Sequence, residues 1–252
     1  MIVKTNHLGA LAAAMGALVA VGLLMLMLVV VDVRPAEATF PGKPAKIAYE
    51  GNDGNDAEIY TIEPGGGGRV KVTDNNAADY GPSYSPSGKK IAFYGYDGQD
   101  FEIYTINPNG GGRVQLTDNN TGDYTPSYSP SGKKIVFSGF DGQDREIYTI
   151  NVGGGSRKQL TDNATGDYEP NYSPSGKKIA YSGQDAPNGD REIYTINSGG
   201  GGKKQLTDNA TGDYEPNYSP NGKKIAFEGD EGNDSEIYKI NSGGGGRVQL
   251  QR

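Results

Sequence analysis

Acidic residues crowd together at four points of the chain: "DGNDAE" begins at Asp53, "DGQDFE" at Asp97, "DGQDRE" at Asp141 and "EGNDSE" at Glu231. Three carboxylates within six residues suit a hard cation that takes oxygen ligands, such as calcium. The ligand order and twelve-residue length of an EF-hand loop are absent, and Asp-Gly is itself a strong hairpin signal. Turn chemistry is the simpler reading, with no cofactor required; calcium binding stands beside it.

A second set of carboxylates is followed each time by tyrosine: Asp79–Tyr80, Asp123–Tyr124, Asp167–Tyr168 and Asp213–Tyr214. They lie in polar stretches such as "TDNATGDYEPNYSP", which runs from Thr161 to Pro174 and returns letter for letter from Thr207 to Pro220. Placed around one opening, these carboxylates would attract a cation or a basic segment of a protein partner. The tyrosines would add rigid, amphipathic contact area. Alternatively, Thr, Asp and Asn satisfy the turn's own backbone, and the stretch recurs because a repeated fold needs the same turn. Departures from the repeat are sharper pointers. Tyr94, Tyr96 and Phe101 surround one acidic loop whose counterparts mostly hold Ser, Gly, Glu, Arg or Ala. Such aromatics suit either a protein-binding hot spot or packing between repeats. Two extra residues also fall near Ala186–Pro187.

The residue inventory excludes much catalysis. There is no Cys and no Trp, and the only His is His7. Ser-His and Cys-His nucleophile schemes therefore fail, as does a His-ligated transition-metal centre. A paired-carboxylate glycan-active enzyme is not excluded by inventory, but its acids would have to stand out from a repeat in which they recur. No catalytic or metal-ligating residue is assigned. A net charge of −7 disfavours nucleic acid as a partner.

The elements that must position these residues are written in the repeat. "EIY" starts at Glu58, Glu102, Glu146, Glu192 and Glu236, at steps of 44, 44, 46 and 44 residues. One unit, Gly81 to Tyr124, holds four short strand candidates, "PSYS", "KIAFYG", "FEIYTIN" and "RVQLT", separated by turn residues. We label them A, B, C and D. B and C are almost continuously apolar, as expected of strands buried on both faces. Four strands per 44 residues is the period of a β-propeller blade. The expected fold is all-β: five four-stranded blades, at about 40–80, 81–124, 125–168, 169–214 and 215–252. Phe40–Lys43 is the expected first A strand. A ring that needs more blades, completed by a second chain, is the alternative.

These residues carry a resemblance. "YSPSGKKIAF", "DGQDREIYTIN" and "QLTDN" resemble the propeller repeat of the TolB family, which is WD-repeat-like. The resemblance implies a propeller used for protein–protein interaction, without the additional N-terminal domain of TolB or the hydrolase domain of propeller peptidases. The family's "SPDG" turn is here Ser87, Ser131, Ser175 or Asn221 in the Asp position. By analogy with WD-repeat propellers, D–A and B–C loops share one face, which would hold 28 of the 31 acids. The opposite face would hold 18 of the 24 Lys and Arg, many from the "GKK" turns.

Residues 1–38 differ from the rest. Leu8 to Val31 is an uncharged apolar run, with Lys4 before it and the small pair Ala36 and Ala38 after it. This is either a cleaved export signal or an anchor through residues 8–31. Both versions leave residues 39–252 outside the cytoplasm, in bacterial style secreted, periplasmic or on the cell surface. The resulting expectation is an exported, non-enzymatic scaffold that binds a protein partner through an acidic, Tyr-lined face. A calcium-binding adhesive propeller is the alternative.

Overall fold

The computed structural model describes residues 46–184, 189–232 and 234–250. The expected export segment, the A strand at Phe40–Lys43 and the insertion at Ala186–Pro187 lie outside the described residues. Among the described residues there is no helix, and so none long and apolar enough to cross a membrane.

The chain folds as five antiparallel sheets in sequence order, a five-bladed propeller. The first blade comprises β1 (Ile47–Asn52), β2 (Ala57–Ile62) and β3 (Val70–Lys71), which are B, C and D strands. The second holds β4 (Asp79–Tyr84), β5 (Ile91–Tyr96), β6 (Phe101–Ile106) and β7 (Val114–Gln115). The third holds β8 (Asp123–Tyr128), β9 (Lys134–Phe140), β10 (Arg145–Asn151) and β11 (Lys158–Gln159). The fourth holds β12 (Asp167–Tyr172), β13 (Lys178–Gln184), β14 (Arg191–Asn197) and β15 (Lys204–Gln205). The fifth holds β16 (Asp213–Tyr218), β17 (Lys224–Glu231), β18 (Asp234–Asn241) and β19 (Val248–Gln249). Blades two to five have the four strands the period predicts; the first shows three among the described residues.

The near-continuous apolar runs follow from burial on both faces. β6 is "FEIYTI" and its last five residues are buried, because a neighbouring blade covers each side. Between the second and third blades, Ala92, Ile103 and Leu116 pack against Tyr128, Ile135 and Phe137. Stacked rings add to each seam: Phe93–Tyr104, Phe137–Tyr148, Tyr181–Tyr194 and Phe227–Tyr238 lie 5.5–5.7 Å apart. The A strands touch one another in series, β4 with β8, β8 with β12 and β12 with β16, so they form the inner layer.

The A–B turns make the local bonds expected of Ser and Asn there. The backbone N–H of Lys89 donates to Ser87 Oγ at 3.4 Å, and that of Lys223 donates to Asn221 Oδ1 at 3.0 Å.

Candidate functional site

Each "TDN" stretch staples two blades. Thr117 Oγ1 accepts from the Ile103 N–H of its own blade at 2.8 Å, and Asn119 N–H donates to Glu102 Oε1 at 2.6 Å. Asn119 Nδ2 then donates to Asp123 Oδ2 of the next blade at 2.9 Å. The same set recurs at Thr161, Asn163 and Asp167, and at Thr207, Asn209 and Asp213. The repeated polar stretch is thus a structural joint.

The Asp of each Asp-Tyr pair opens the A strand, where sequence reasoning placed it in a loop at an open rim. Asp79, Asp123, Asp167 and Asp213 are all 0% exposed. Cross-strand from each is a glycine, Gly95, Gly139, Gly183 or Gly229, whose missing Cβ leaves room for the carboxylate. Arg113, Arg157 and Arg247 donate to Oδ1 of Asp79, Asp123 and Asp213 at 3.4, 3.2 and 3.2 Å. Burial nevertheless dominates: it pushes the Asp79 carboxyl up to about 6 against the pull of Arg113, and Asp123 and Asp213 also upward. These carboxylates are buried in the joints between blades. The arginines, expected on the basic face, are spent here; Lys71, also expected there, pairs with Asp53 and Asp74.

The tyrosines are placed differently. Tyr80, Tyr124, Tyr168 and Tyr214 are half-buried on the inner layer. The residue after each is left-handed: Gly81 (φ 58°), Thr125 (φ 50°), Glu169 (φ 54°) and Glu215 (φ 50°). A β-bulge follows from this residue and the next, a proline without an N–H to pair. Only the second blade supplies the glycine that tolerates this conformation without strain.

Two unlike regions result. In one, Tyr94 stacks on Tyr80 at 5.6 Å and meets Tyr124 edge-on at 5.5 Å, while Phe101 touches Tyr80, Tyr94, Tyr96 and Tyr124. The sequence-predicted aromatics of the second blade and the first two tyrosines of the Asp-Tyr series are therefore one cluster. In the other, arginines take the place of Phe101: Arg145 lies 4.0 Å over Tyr124, and Arg191 lies 3.7 Å over Tyr168. Arg191 also pairs with Glu169 at 3.2 Å, and the Glu215 N–H donates to Glu169 Oε2 at 3.0 Å. Burial and the neighbouring carboxylates of Glu169, Glu228 and Glu50 push the Glu215 carboxyl up. Glu50 of the first blade accepts the Gly81 N–H at 3.1 Å and raises Glu215 of the fifth only through charge. Among the described residues neither Glu215 nor Glu228 has a salt-bridge partner.

Sequence reasoning singled out the aromatic departures of the second blade but missed Arg145, Arg191, Glu50 and Glu228. The signal was available. These residues occupy the repeat positions of Phe101 and Tyr94 in other blades.

The acidic loops bring their carboxylates together as well. Asp53, Asp56 and Glu58 offer oxygens within 4.8 Å of one another, as do Asp97, Asp100 and Glu102, and Asp141, Glu146 and Asp162. Much of each loop is turn chemistry: Asp97 Oδ1 accepts from the N–H groups of Gln99 and Asp100 at 2.8 and 3.1 Å. In the first blade Lys71 Nζ stands 2.6 Å from Asp53 and 3.7 Å from Glu58. The corresponding residues of the other blades are Gln115, Gln159, Gln205 and Gln249.

A family model described as TolB beta propeller domain matches residues 38–188. A solved structure described as TolB from Agrobacterium tumefaciens is 23% identical, with a TM-score of 0.69 over 81% of this chain and 79% of its own. TolB from Acinetobacter baumannii is 26% identical with a TM-score of 0.68; this chain spans 82% of itself and about half, 51%, of that protein. An oligogalacturonate lyase from Vibrio parahaemolyticus, 14% identical, shares the fold with a TM-score of 0.61 over 81% of this chain and 61% of its own. No curated protein matches the chain by sequence.

Proposed function

Because the chain belongs to the TolB beta propeller domain family, we propose that it is a non-enzymatic, extracytoplasmic module that binds a protein partner. The docking surface is the inner aromatic–acidic region: Tyr94, Phe101 and Tyr124 on one side, Glu169, Glu215, Glu228 and Glu50 on the other. The partner presents a basic segment flanked by an apolar side chain. The carrying observation is strain: Thr125, Glu169 and Glu215 sit at positive φ where Gly81 shows that glycine is accepted. Non-glycine residues held in this conformation concentrate at functional sites, and two of the three are the acids of this surface. Aromatics in such a patch supply contact area at low entropic cost, and the acids steer a cation toward it. The export reading rests on residues 1–38 of the sequence.

Titration with a panel of short peptides, neutral, acidic and Lys/Arg-rich with one aromatic, tests this reading by calorimetry. Saturable, salt-sensitive binding of the basic peptide alone, weakened by Tyr94→Ala, is the expected outcome. Equal binding of all three peptides, or of none, contradicts it.

Lys71 favours a second reading, calcium binding at the acidic loops. An ammonium already occupies the first blade's carboxylate cluster, at a position where the second and third blades carry glutamine. The clusters at Asp97 and Asp141 offer hard oxygen ligands of the kind calcium takes. Calorimetric titration of chelator-stripped protein should give saturable heat that falls in a Gln115→Lys, Gln159→Lys variant. An absence of heat returns these loops to hairpin chemistry.

A further inference from the structure

The seams between blades repeat one apolar pairing. Ala180, Ile193 and Leu206 of the fourth blade pack on Ile225, Phe227 and Tyr238 of the fifth. Ala48, Ile59 and Val72 of the first pack on Ile91, Phe93 and Tyr104 of the second. Every blade therefore has a leaving face of the Ala–Ile–Leu type and an entering face of the Ile–Phe–Tyr type.

At the two ends of the series these faces are built in the same way, but Ile237, Leu250, Ile47 and Tyr49 lack the cover that their counterparts have. The fifth blade's leaving face is Ala226, Ile237 and Leu250. The Leu250 N–H donates to the Ile237 carbonyl at 2.7 Å, as Leu206 does to Ile193 at 2.7 Å. Yet Ile237 is 42% exposed and Leu250 51%, whereas Ile59, Ile103, Ile147 and Ile193 are all 0% exposed. The first blade's entering face is Ile47, Tyr49 and Tyr60. Tyr49 stacks on Tyr60 at 5.6 Å, as Phe93 does on Tyr104 at 5.5 Å. Ile47 and Tyr49 are only half-buried, while Ile91 and Phe93 are 0% exposed.

We propose that these two faces are the halves of one head-to-tail interface, through which the first blade of a second copy of this chain docks on the fifth blade of the first. The occupant follows from continuity with the internal seams. The residue types that each face packs against four times within the chain are those the opposite end presents. The chain's own first blade leaves Ile237 exposed in this structure, so this face is open to the matching face of a second copy. Such a contact is heterologous: it closes a ring if the rotation permits and propagates as a filament if it does not.

The absence of cysteine makes the test clean. Two single-cysteine variants of the full chain, Ile237→Cys and Tyr49→Cys, are mixed and treated with a short bismaleimide. A monofunctional maleimide confirms that each thiol is reactive, and Lys89→Cys mixed with Ile237→Cys reports chance encounters, including any through the apolar N-terminal segment. The expected result is a crosslinked dimer from the Ile237 and Tyr49 pair, at least tenfold more abundant than from the Lys89 pair. Adding Ala226→Asp to the Ile237→Cys chain should remove it. The proposal is overturned if the pair crosslinks no better than the Lys89 control while both thiols take the monofunctional label. It is equally overturned if the Ile237→Cys, Tyr49→Cys double variant links only within one chain, because the fifth blade then closes on its own first blade.

Discussion

Asp167 has one carboxylate oxygen without a hydrogen-bond partner, and the reason is a single departure in the repeat. Lys203 stands where Arg113, Arg157 and Arg247 stand in other blades. Its ammonium lies 4.5 Å over the Tyr194 ring and acts on Asp167 only through charge. A guanidinium can stack on the ring and donate to the carboxylate at once, as Arg157 does 3.8 Å over Tyr148. Lys203→Arg should therefore stabilise the fold by about 1 kcal/mol, read from the midpoint of urea unfolding. Arg157→Ala should cost roughly 2 kcal/mol, below the range for a fully buried pair because the arginine is partly exposed. No gain from the first variant would break the account of the Asp tier. That tier was only half legible in the sequence. The pairing of Asp with Tyr was visible, but a polar loop and the first residue of a bulged strand look alike in letters. What separates them is the glycine opposite, Gly95 for Asp79, and that contact is tertiary.

At the scale of the element, the start of the C strand in the second, third and fourth blades carries a buried carboxyl with a pH signature. Burial raises Glu102 from 4.5 to about 7, and Glu192 likewise to about 7. Between those values the folded state holds a proton that the unfolded chain has released. The stabilising contribution is thus complete below about pH 4.5 and is lost as pH climbs through 7. Asp53 works in the opposite sense, lowered to about 2 by its bond to Lys71, but its window closes below about pH 4. Thermal unfolding between pH 5 and 8 should therefore show a falling midpoint, flattened in a Glu102→Gln, Glu192→Gln variant. A midpoint that rises across this range contradicts the buried-glutamate account. The C strands themselves were legible, because "EIYTI" is too apolar for a half-wet sheet. The acid within them reads as a loop residue until the Asn119 bridge shows what it holds.

For the whole molecule, a 44-residue period fixed the number and order of blades, since every blade repeats the same turns and the same two apolar faces. The proposed docking surface lies where the period fails. Symmetric positions are scaffold; Tyr94 and Phe101 differ from their counterparts in every other blade, while Arg145 with Arg191, and Glu169 with Glu215, are each shared by only two neighbouring blades. The charge sorting by loop was less informative. Three Asp–Arg pairs carry cations from the expected basic side into the acidic one. The proposed docking surface requires that Glu215 be kept at a strained position for the sake of binding. One variant tests it, Glu215→Gly, measured for both stability and affinity for a Lys/Arg-rich aromatic peptide. Relief of the left-handed strain should stabilise the fold by roughly 0.5–1 kcal/mol, a rise of about 2–4 °C in the melting midpoint, while peptide affinity falls at least fivefold. A variant that gains stability and binds as before would contradict the account.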